Sequence, residues 1–210
     1  MVETELSDRR QIVQRWHDIA PWIRWVAVST VVVLVVAAAI IFLPSWFRNC
    51  DPGLTETDDS QCVGVSDGTA SISPELTDVL GKIRAENARI VTLPIAAVSV
   101  AILVPIPRPG TDTDFAATLR HDIEGAHLAQ LAANRTTVFG DSPPVRLLVA
   151  NSGAESIHWQ DAVLPLLEMK PGGSGDRRLG AVVASGRSLL APRKATDTLL
   201  AGSIPVVSDR

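Results

Sequence analysis

A continuous apolar stretch from Trp25 to Leu43 constrains this chain more than any other feature. Its nineteen residues include no charged residue, no glycine and no proline. A helix rises about 1.5 Å per residue, so this stretch spans about 28 Å, close to the ~30 Å hydrocarbon core of a bilayer. Trp22 and Trp46 lie just outside it, where the membrane interface favours tryptophan rings. The sequence therefore predicts a transmembrane helix over residues 25–43.

The charges on either side of this stretch predict its orientation. Four arginines precede it, whereas only Arg48 lies within the twenty residues that follow. Because positive charge stays on the cytoplasmic side, residues 1–24 are predicted to be cytoplasmic and residues 44–210 extracellular. A cleaved signal peptide would have a shorter apolar core followed by small residues, and a lipidated Cys50 would follow a small residue. Neither pattern is present, so we expect a single-pass, uncleaved anchor in the cell membrane.

The segments next to the anchor carry weaker patterns. Residues 1–24 predict a short amphipathic helix, which would lie on the inner leaflet. Residues 44–73 are rich in Asp, Ser, Thr and Gly, and residues 44–96 are predicted to form an extracellular stalk with one short helix, which begins at Ser73-Pro74. On the oxidising side of a membrane, Cys50 and Cys62 can form a disulfide. The acidic loop between them matches no EF-hand spacing, which favours a stapled, solvated loop over a Ca²⁺ site.

From residue 97 onward, short apolar runs alternate with amphipathic segments. Strands that are apolar throughout and alternate with helices indicate a parallel sheet covered on both faces. With right-handed crossovers, this pattern predicts a doubly wound α/β domain over residues 97–210. The predicted strands are residues 98–104, 145–150, 179–184 and 204–207, and the predicted helices are residues 112–134, 157–170 and 192–201.

In such a domain, ligands bind outside the carboxyl ends of the strands. Four loops are expected there: Pro105–Asp112, Asn151–Glu155, Ser185–Leu190 and the chain from Ser208 onward. Hydroxyl and amide side chains in these loops can bind a polar ligand without burying charge. The same side chains can instead cap local turns, and the sequence leaves that alternative open. The residues concerned are Asn151, Ser152, Ser188 and Ser208, together with Arg187, whose charge could pair with a ligand carboxylate.

The motifs that would indicate chemistry are weak. His121, Glu124 and His127 lack the i, i+4 spacing of a helical metal site, which favours a solvated helix face. The glycines of 172–175 lie between a helix and a strand, so we interpret them as a linker. The segment 185–188 does not form the nucleophile elbow of hydrolases, and no dinucleotide-binding glycine motif follows the first strand. We therefore predict no catalytic residue, no metal site and no cofactor.

The formal net charge is −4, and no basic patch stands out. Nucleic acid is therefore not an expected partner. The segment Asn134-Arg-Thr136 fits the glycosylation sequon, a pattern short enough to occur by chance.

Four segments of the predicted α/β domain resemble a known family, the type I periplasmic binding proteins. The resemblance covers about residues 97–210, and its most specific part is the closing Gly-Ser-Ile-Pro-Val-Val-Ser. The family includes the receptors of branched-chain amino acid transporters. The matching segments are Val100–Pro105, Glu124–Asn134, Leu147–Gly153 and Gly202–Ser208.

The resemblance implies a receptor of an ABC uptake system, with a small polar solute such as an amino acid as its ligand and a permease as its partner. Gly186 and Ser188 match the glycine and hydroxyl residue that the family carries after its third strand, whereas Arg187 makes this loop more basic. Family members clamp the ligand between two lobes. By that comparison the chain corresponds to most of one lobe of a longer protein.

Three functions follow as hypotheses. The first is a membrane-anchored extracellular solute-binding protein without catalysis. The second is a membrane-tethered interaction or ligand-sensing module that uses the same fold. The third is a hydrolase-like or phosphatase-like enzyme, which remains open because catalytic residues can be dispersed over loops.

Overall fold

A computed structural model describes residues 25–26, 28–34, 50–51, 53–136, 142–169, 178–185 and 191–208. The chain divides into two compact units at Arg48. In the first unit, the described residues are helical and all have exposed side chains. The predicted inner-leaflet helix over residues 1–24 lies outside the described residues, as do residue 27 and residues 35–43 of the predicted transmembrane helix. Within the described part of the chain, no helix has both the length and the apolar character needed to cross a bilayer.

The described residues of the second unit form a mixed α/β arrangement. The strands are β1 (Leu54–Glu56), β2 (Cys62–Ser66), β3 (Val98–Val104), β4 (Val145–Asn151), β5 (Leu179–Ala184) and β6 (Val206–Ser208), and the helices are α1 (Thr77–Val91), α2 (Thr113–Arg135), α3 (Trp159–Glu168) and α4 (Ala191–Ala201). These strands pair in one sheet with the order β1-β2-β4-β3-β5-β6. Short 3-10 helices precede α1 and α3, at Pro74–Leu76 and Ala154–Ser156.

The four strands predicted from apolar runs are β3 to β6, and they pair in parallel as expected. The α/β class is confirmed. The prediction of a wholly parallel sheet is wrong, because β2 pairs antiparallel with both β1 and β4. The sheet is therefore mixed, with an antiparallel hairpin added beside β4.

Helices cover both faces of the sheet. Alternate residues of β3 and β4 point to opposite sides: Ile102 and Leu147 belong to the core with α1 and α2, whereas Leu103 and Leu148 belong to the core with α3 and α4. Since a strand between two helix layers has no solvated face, both sets of positions must be apolar. This explains why these strands appear in the sequence as unbroken apolar runs.

The structure differs from the stalk predicted over residues 44–96. β1 and β2 extend the sheet, and α1 buries one face in the same core as α2. The hairpin is held by a disulfide between Cys50 and Cys62, whose Cα atoms are 5.4 Å apart. Strands of three and five residues with glycine, serine and threonine carry little periodicity. Their sequence therefore resembles a solvated linker although their backbones pair in the sheet.

At the amino ends of the parallel strands, a buried polar network joins α1, α2 and β4. The Glu86 side chain is 1% exposed and pairs with Arg89 at 2.7 Å and with Arg135 at 2.5 Å. Burial by itself would raise the pKa of Glu86, but hydrogen bonds from Arg89, Arg135 and Asn134 outweigh it and lower the pKa to about 2. These three partners hold Glu86 in its charged form.

Asn87 and Asn134 complete this network. Asn87 Nδ2 donates to the carbonyls of Asp67 and Leu147, each at 2.8 Å, and its Oδ1 accepts from Leu147 N at 3.0 Å. Asn134 Nδ2 donates to the carbonyl of Val145 at 3.0 Å. The sequon asparagine is thus committed to hydrogen bonds within the folded domain.

Candidate functional site: the carboxyl edge of the parallel strands

Three segments meet where β3 and β4 end. They are the hairpin loop between β1 and β2 (residues 57–61), the loop after β3 (Pro105–Asp112), and the turn after β4 (Ser152–His158). Two clefts flank the loop after β3. The first, of about 370 Å³, lies toward the hairpin loop and residues 71–74. The second, of about 390 Å³, lies toward the start of α2 and the turn after β4.

Asn151 lies beneath these segments and is only 2% exposed. Its Oδ1 accepts hydrogen bonds from Ile106 N at 3.2 Å and Gly153 N at 2.8 Å, and its Nδ2 donates to the carbonyl of Cys62 at 2.8 Å. One amide side chain thus ties the first residue of β2 to the backbone of the loop after β3 and of the turn after β4. The sequence places Asn151 at the correct edge, and the structure gives its amide a backbone-capping role.

The Ser152 hydroxyl is also hydrogen-bonded within the protein. It is 1% exposed, and its Oγ lies 3.1 Å from both the Val104 carbonyl and the Ser156 hydroxyl. Ser208 ends β6 opposite Ala184 and is exposed. Gly186, Arg187 and Ser188 lie outside the described residues. Among the described members of the predicted binding set, the structure brings Asn151 and Ser152 together, and both side chains hydrogen-bond to neighbouring groups of the protein.

The residue at the centre of the edge is Asp59, which the sequence analysis did not select. Its carboxylate accepts hydrogen bonds from Thr57, Arg108 and Gln61, the last at 2.5 Å, and lies 3.5 Å from His158 Nε2. The hydrogen bond from Thr57, followed by that from Arg108, holds the pKa of Asp59 well below its usual range. Asp59 is therefore charged at neutral pH and links the hairpin loop to the other two segments.

Gln61 strengthens that link. While its amide nitrogen donates to Asp59, its Oε1 accepts from Ala154 N at 2.8 Å. Arg108 is half exposed at 50%, so its guanidinium faces solvent on one side and Asp59 on the other. No local pattern could have revealed this pair, because Asp59 and Arg108 are separated by 49 residues. The weak signals were an acidic loop closed by cysteines and an arginine between prolines.

The turn after β4 has an unusual backbone. Gly153, Glu155 and Ser156 have φ values of 75°, 54° and 59°. The φ of Gly153 favours glycine, and a Cβ there would also lie in tight contact with the His158 ring, at 3.0 Å. Glu155 is exposed and lines the second cleft together with Pro105, Pro107, Thr111, Asp112, Phe115 and Ala154.

A third cavity lies away from this edge. It is an apolar groove of about 610 Å³ between α2 and the exposed face of β5, with Ala126, Ala129 and Val183 among its lining residues. Val183 and Val207, on the same face of the sheet, are 36% and 60% exposed. No described helix covers this part of the face.

In the described part of the chain, no group of three or more His, Cys, Asp or Glu side chains is placed to hold a metal ion. Comparison of the chain with protein-family models, with curated proteins and with solved structures finds no match. Its function must therefore be inferred from the geometry of the carboxyl edge and from the sequence resemblance.

Proposed function

We propose that this protein is a membrane-anchored extracellular domain that binds a small polar solute at the carboxyl edge of its sheet, as the receptor of an ABC uptake system does. The observation that carries the proposal is the pair of clefts beside the loop after β3. Each has about the volume of a small-molecule site, 370 and 390 Å³. Parallel α/β domains bind ligands at this edge.

The first cleft offers charges of both signs. Arg108 can donate to a carboxylate from guanidinium N–H groups that Asp59 does not occupy, and Asp51 and Asp59 supply carboxylates. A zwitterion such as an amino acid presents the complementary pair. The proposal is reversible recognition of such a solute, without catalysis.

The anchor is the second part of the proposal. The apolar side chains described between Trp25 and Leu34 are exposed by more than half, which suits a lipid surrounding. Ser29 and Thr30 donate their hydroxyls to the Val26 carbonyl at 2.8 and 2.9 Å, so neither hydroxyl needs water. With the arginines upstream, the proposal places the amino terminus in the cytoplasm and the sheet domain outside, where a permease would be the partner.

The binding test uses the full chain in lipid nanodiscs and isothermal titration with L-leucine, L-glutamine and L-glutamate. We expect at least one amino acid to bind, and Arg108→Gln to weaken that binding about tenfold by removing a charge-assisted hydrogen bond. Arg193→Gln, an exposed arginine on α4, is the matched control and should leave affinity unchanged. Absence of heat with all three solutes would refute the solute-binding function.

The anchor test is separate. Membranes carrying the full chain are washed with alkaline carbonate, and intact cells are treated with protease. We expect the chain to remain with the membrane and the sheet domain to be digested from outside. Release by carbonate, or protection of the sheet domain in intact cells, contradicts the anchored extracellular arrangement.

One observation favours the interaction module as a second function, namely the apolar groove beside α2. An uncovered apolar face of this kind often marks a protein contact. Ala129→Arg places a charge in the groove without touching the carboxyl edge. If this change abolishes cross-linking to a co-expressed permease, and the solute titrations give no heat, the protein is better described as an interaction module.

A further inference from the structure

We propose that a cleft on the α3 side of the sheet binds a neutral polyhydroxylated compound, such as a sugar. The cleft has a volume of about 430 Å³ and lies between the first residues of β3 and β4, the end of β2 and the last turn of α3. Cavities of this volume hold small molecules. The site is separate from the clefts of the carboxyl edge, so it would be a second binding function of the domain.

The floor of this α3 cleft carries two polar side chains on strands that are mostly apolar. Ser99 of β3 pairs in register with Arg146 of β4, so the two side chains lie next to each other on one face of the sheet. Positions that face a covering helix are apolar in such a sheet. Because α3 ends at Glu168 and the cleft opens there, the two polar residues face a cavity instead of a helix.

The Ser99 hydroxyl is the observation that points to a ligand. Ser99 is 1% exposed and lines the cleft, and its hydroxyl forms no hydrogen bond with any described residue. Two equally buried serines differ, since the hydroxyls of Ser66 and Ser152 donate to the carbonyls of Ala70 and Val104 at 2.8 and 3.1 Å. A buried hydroxyl without a partner costs free energy, and a hydroxyl of a ligand in the cleft would supply the partner.

The charged groups around Ser99 favour a neutral ligand. Arg146 Nη2 lies 3.5 Å from Asp67 Oδ2, and the exposed Glu168 adds a second carboxylate. An anion would be repelled by the two carboxylates and a cation by the guanidinium group. A hydroxyl of a sugar both donates and accepts, so it can bridge a guanidinium N–H and a carboxylate oxygen.

Apolar side chains complete the α3 cleft. Val65 and Leu148 form part of the floor, and Pro165 and Met169 form part of a wall. Small-molecule sites combine such surfaces with a few placed polar groups. The C–H groups of a sugar ring can pack on the apolar side chains while its hydroxyls reach the polar ones.

The test is isothermal titration of the full chain in lipid nanodiscs with D-glucose, D-galactose and myo-inositol, and with D-glucuronate as a charged analogue of D-glucose. We expect at least one of the three neutral compounds to bind, and D-glucuronate to bind more weakly than the best of them. Absence of heat with all three neutral compounds would overturn the inference. Tighter binding of D-glucuronate would also overturn it, by showing that the ligand is an anion.

Two variants locate the binding. Ser99→Ala should weaken binding of the neutral compound about fivefold through loss of one hydrogen bond, and it should leave Tm and amino acid affinity unchanged. Glu168→Gln should weaken it about threefold, because a charged acceptor is lost. Glu124→Gln, which removes an exposed carboxylate from α2, is the matched control and should have no effect.

Equal weakening by Glu168→Gln and Glu124→Gln would overturn the assignment of the cleft. If Ser99→Ala lowers Tm and leaves the affinity for the neutral compound unchanged, the hydroxyl serves the fold and the inference fails. Either result leaves solute binding at the carboxyl edge untouched, because the amino acid titrations test that function separately.

Discussion

The two edges of the parallel strands use polar side chains in opposite ways. At the amino edge, Glu86 and Asn87 are almost fully buried, and their partners lie on α1, α2 and β4 and at Asp67, just after β2. At the carboxyl edge, Asp59 and Arg108 form an ion pair that is partly exposed and borders a cleft. Buried polar groups must be satisfied within the protein, whereas groups at a cleft can exchange partners with a ligand. The amino-edge network holds the fold, and the carboxyl edge is where the solute is expected to bind.

The largest expected effect is a loss of stability on removing the Glu86 carboxylate from the amino edge. Glu86→Ala leaves Arg89 and Arg135 beside a cavity without their carboxylate, and should reduce the free energy of unfolding by about 3 kcal/mol. Urea unfolding of the detergent-solubilised chain, followed by circular dichroism, measures the change. Glu124→Ala, which removes a carboxylate from exposed pairs on α2, is the control and should change it by less than about 0.5 kcal/mol. Equal effects would contradict the difference between the edges.

The amino edge should also determine stability in acid. The pKa of Glu86 is lowered from 4.5 to about 2 in the folded protein, so its contribution is complete above pH 4.5 and is lost as the pH falls toward 2. Across that window, the free energy of unfolding should fall by up to ~3 kcal/mol from this group. Urea curves at pH 6, 4 and 2.5 measure the fall. Glu86→Gln should flatten the dependence of the free energy of unfolding on pH. If that dependence does not change, a group other than Glu86 causes the loss of stability in acid.

A somewhat smaller effect is expected from the disulfide beside the carboxyl edge. Replacing Cys50 and Cys62 by serine opens a short loop and should reduce the free energy of unfolding by about 2–3 kcal/mol. Solute affinity should fall as well, because Asp59 lies inside that loop. Unfolding curves and titration of the same double variant measure both. A stability loss with unchanged affinity would show that the hairpin loop is not part of the binding edge.

The smallest expected effect comes from the backbone conformation of Glu155. Glu155→Gly relieves a left-handed backbone, φ 54°, and should increase the free energy of unfolding by about 0.5–1 kcal/mol. Thermal unfolding measures the change, and the absence of an increase would contradict the backbone explanation.

How far the sequence predicts the fold depends on burial. β3 and β4 are apolar at successive positions because helices cover both faces, and their bounds are predicted almost to the residue. β2 is short and contains Gly64, and it belongs to the sheet through pairing with Ala150 and its neighbours. Backbone pairing with a distant strand leaves no pattern in the residues that pair.

From the sequence, the position of the candidate site at the carboxyl edge could be predicted, but the residues that form it could not. Loops after parallel strands identify the carboxyl edge, and the loop after β3 does border both clefts. The residues within that edge were not predictable, because Asp59 reaches it from the hairpin that the sequence places in a stalk. Asn151 illustrates the opposite case, in which a polar residue at the expected position is used by neighbouring backbone.

The three hydrogen bonds of Asn151 limit how the carboxyl edge can move. One planar amide holds Ile106, Gly153 and Cys62 at fixed distances from each other. The hydrogen bonds from Arg108 to Asp59 and from Ala154 N to Gln61 add the hairpin loop, so that it forms one piece with the loop after β3 and the turn after β4. Closure over a bound solute would have to displace this piece as a rigid body about more distant hinges, because folding down one loop alone would break hydrogen bonds that are shielded from water.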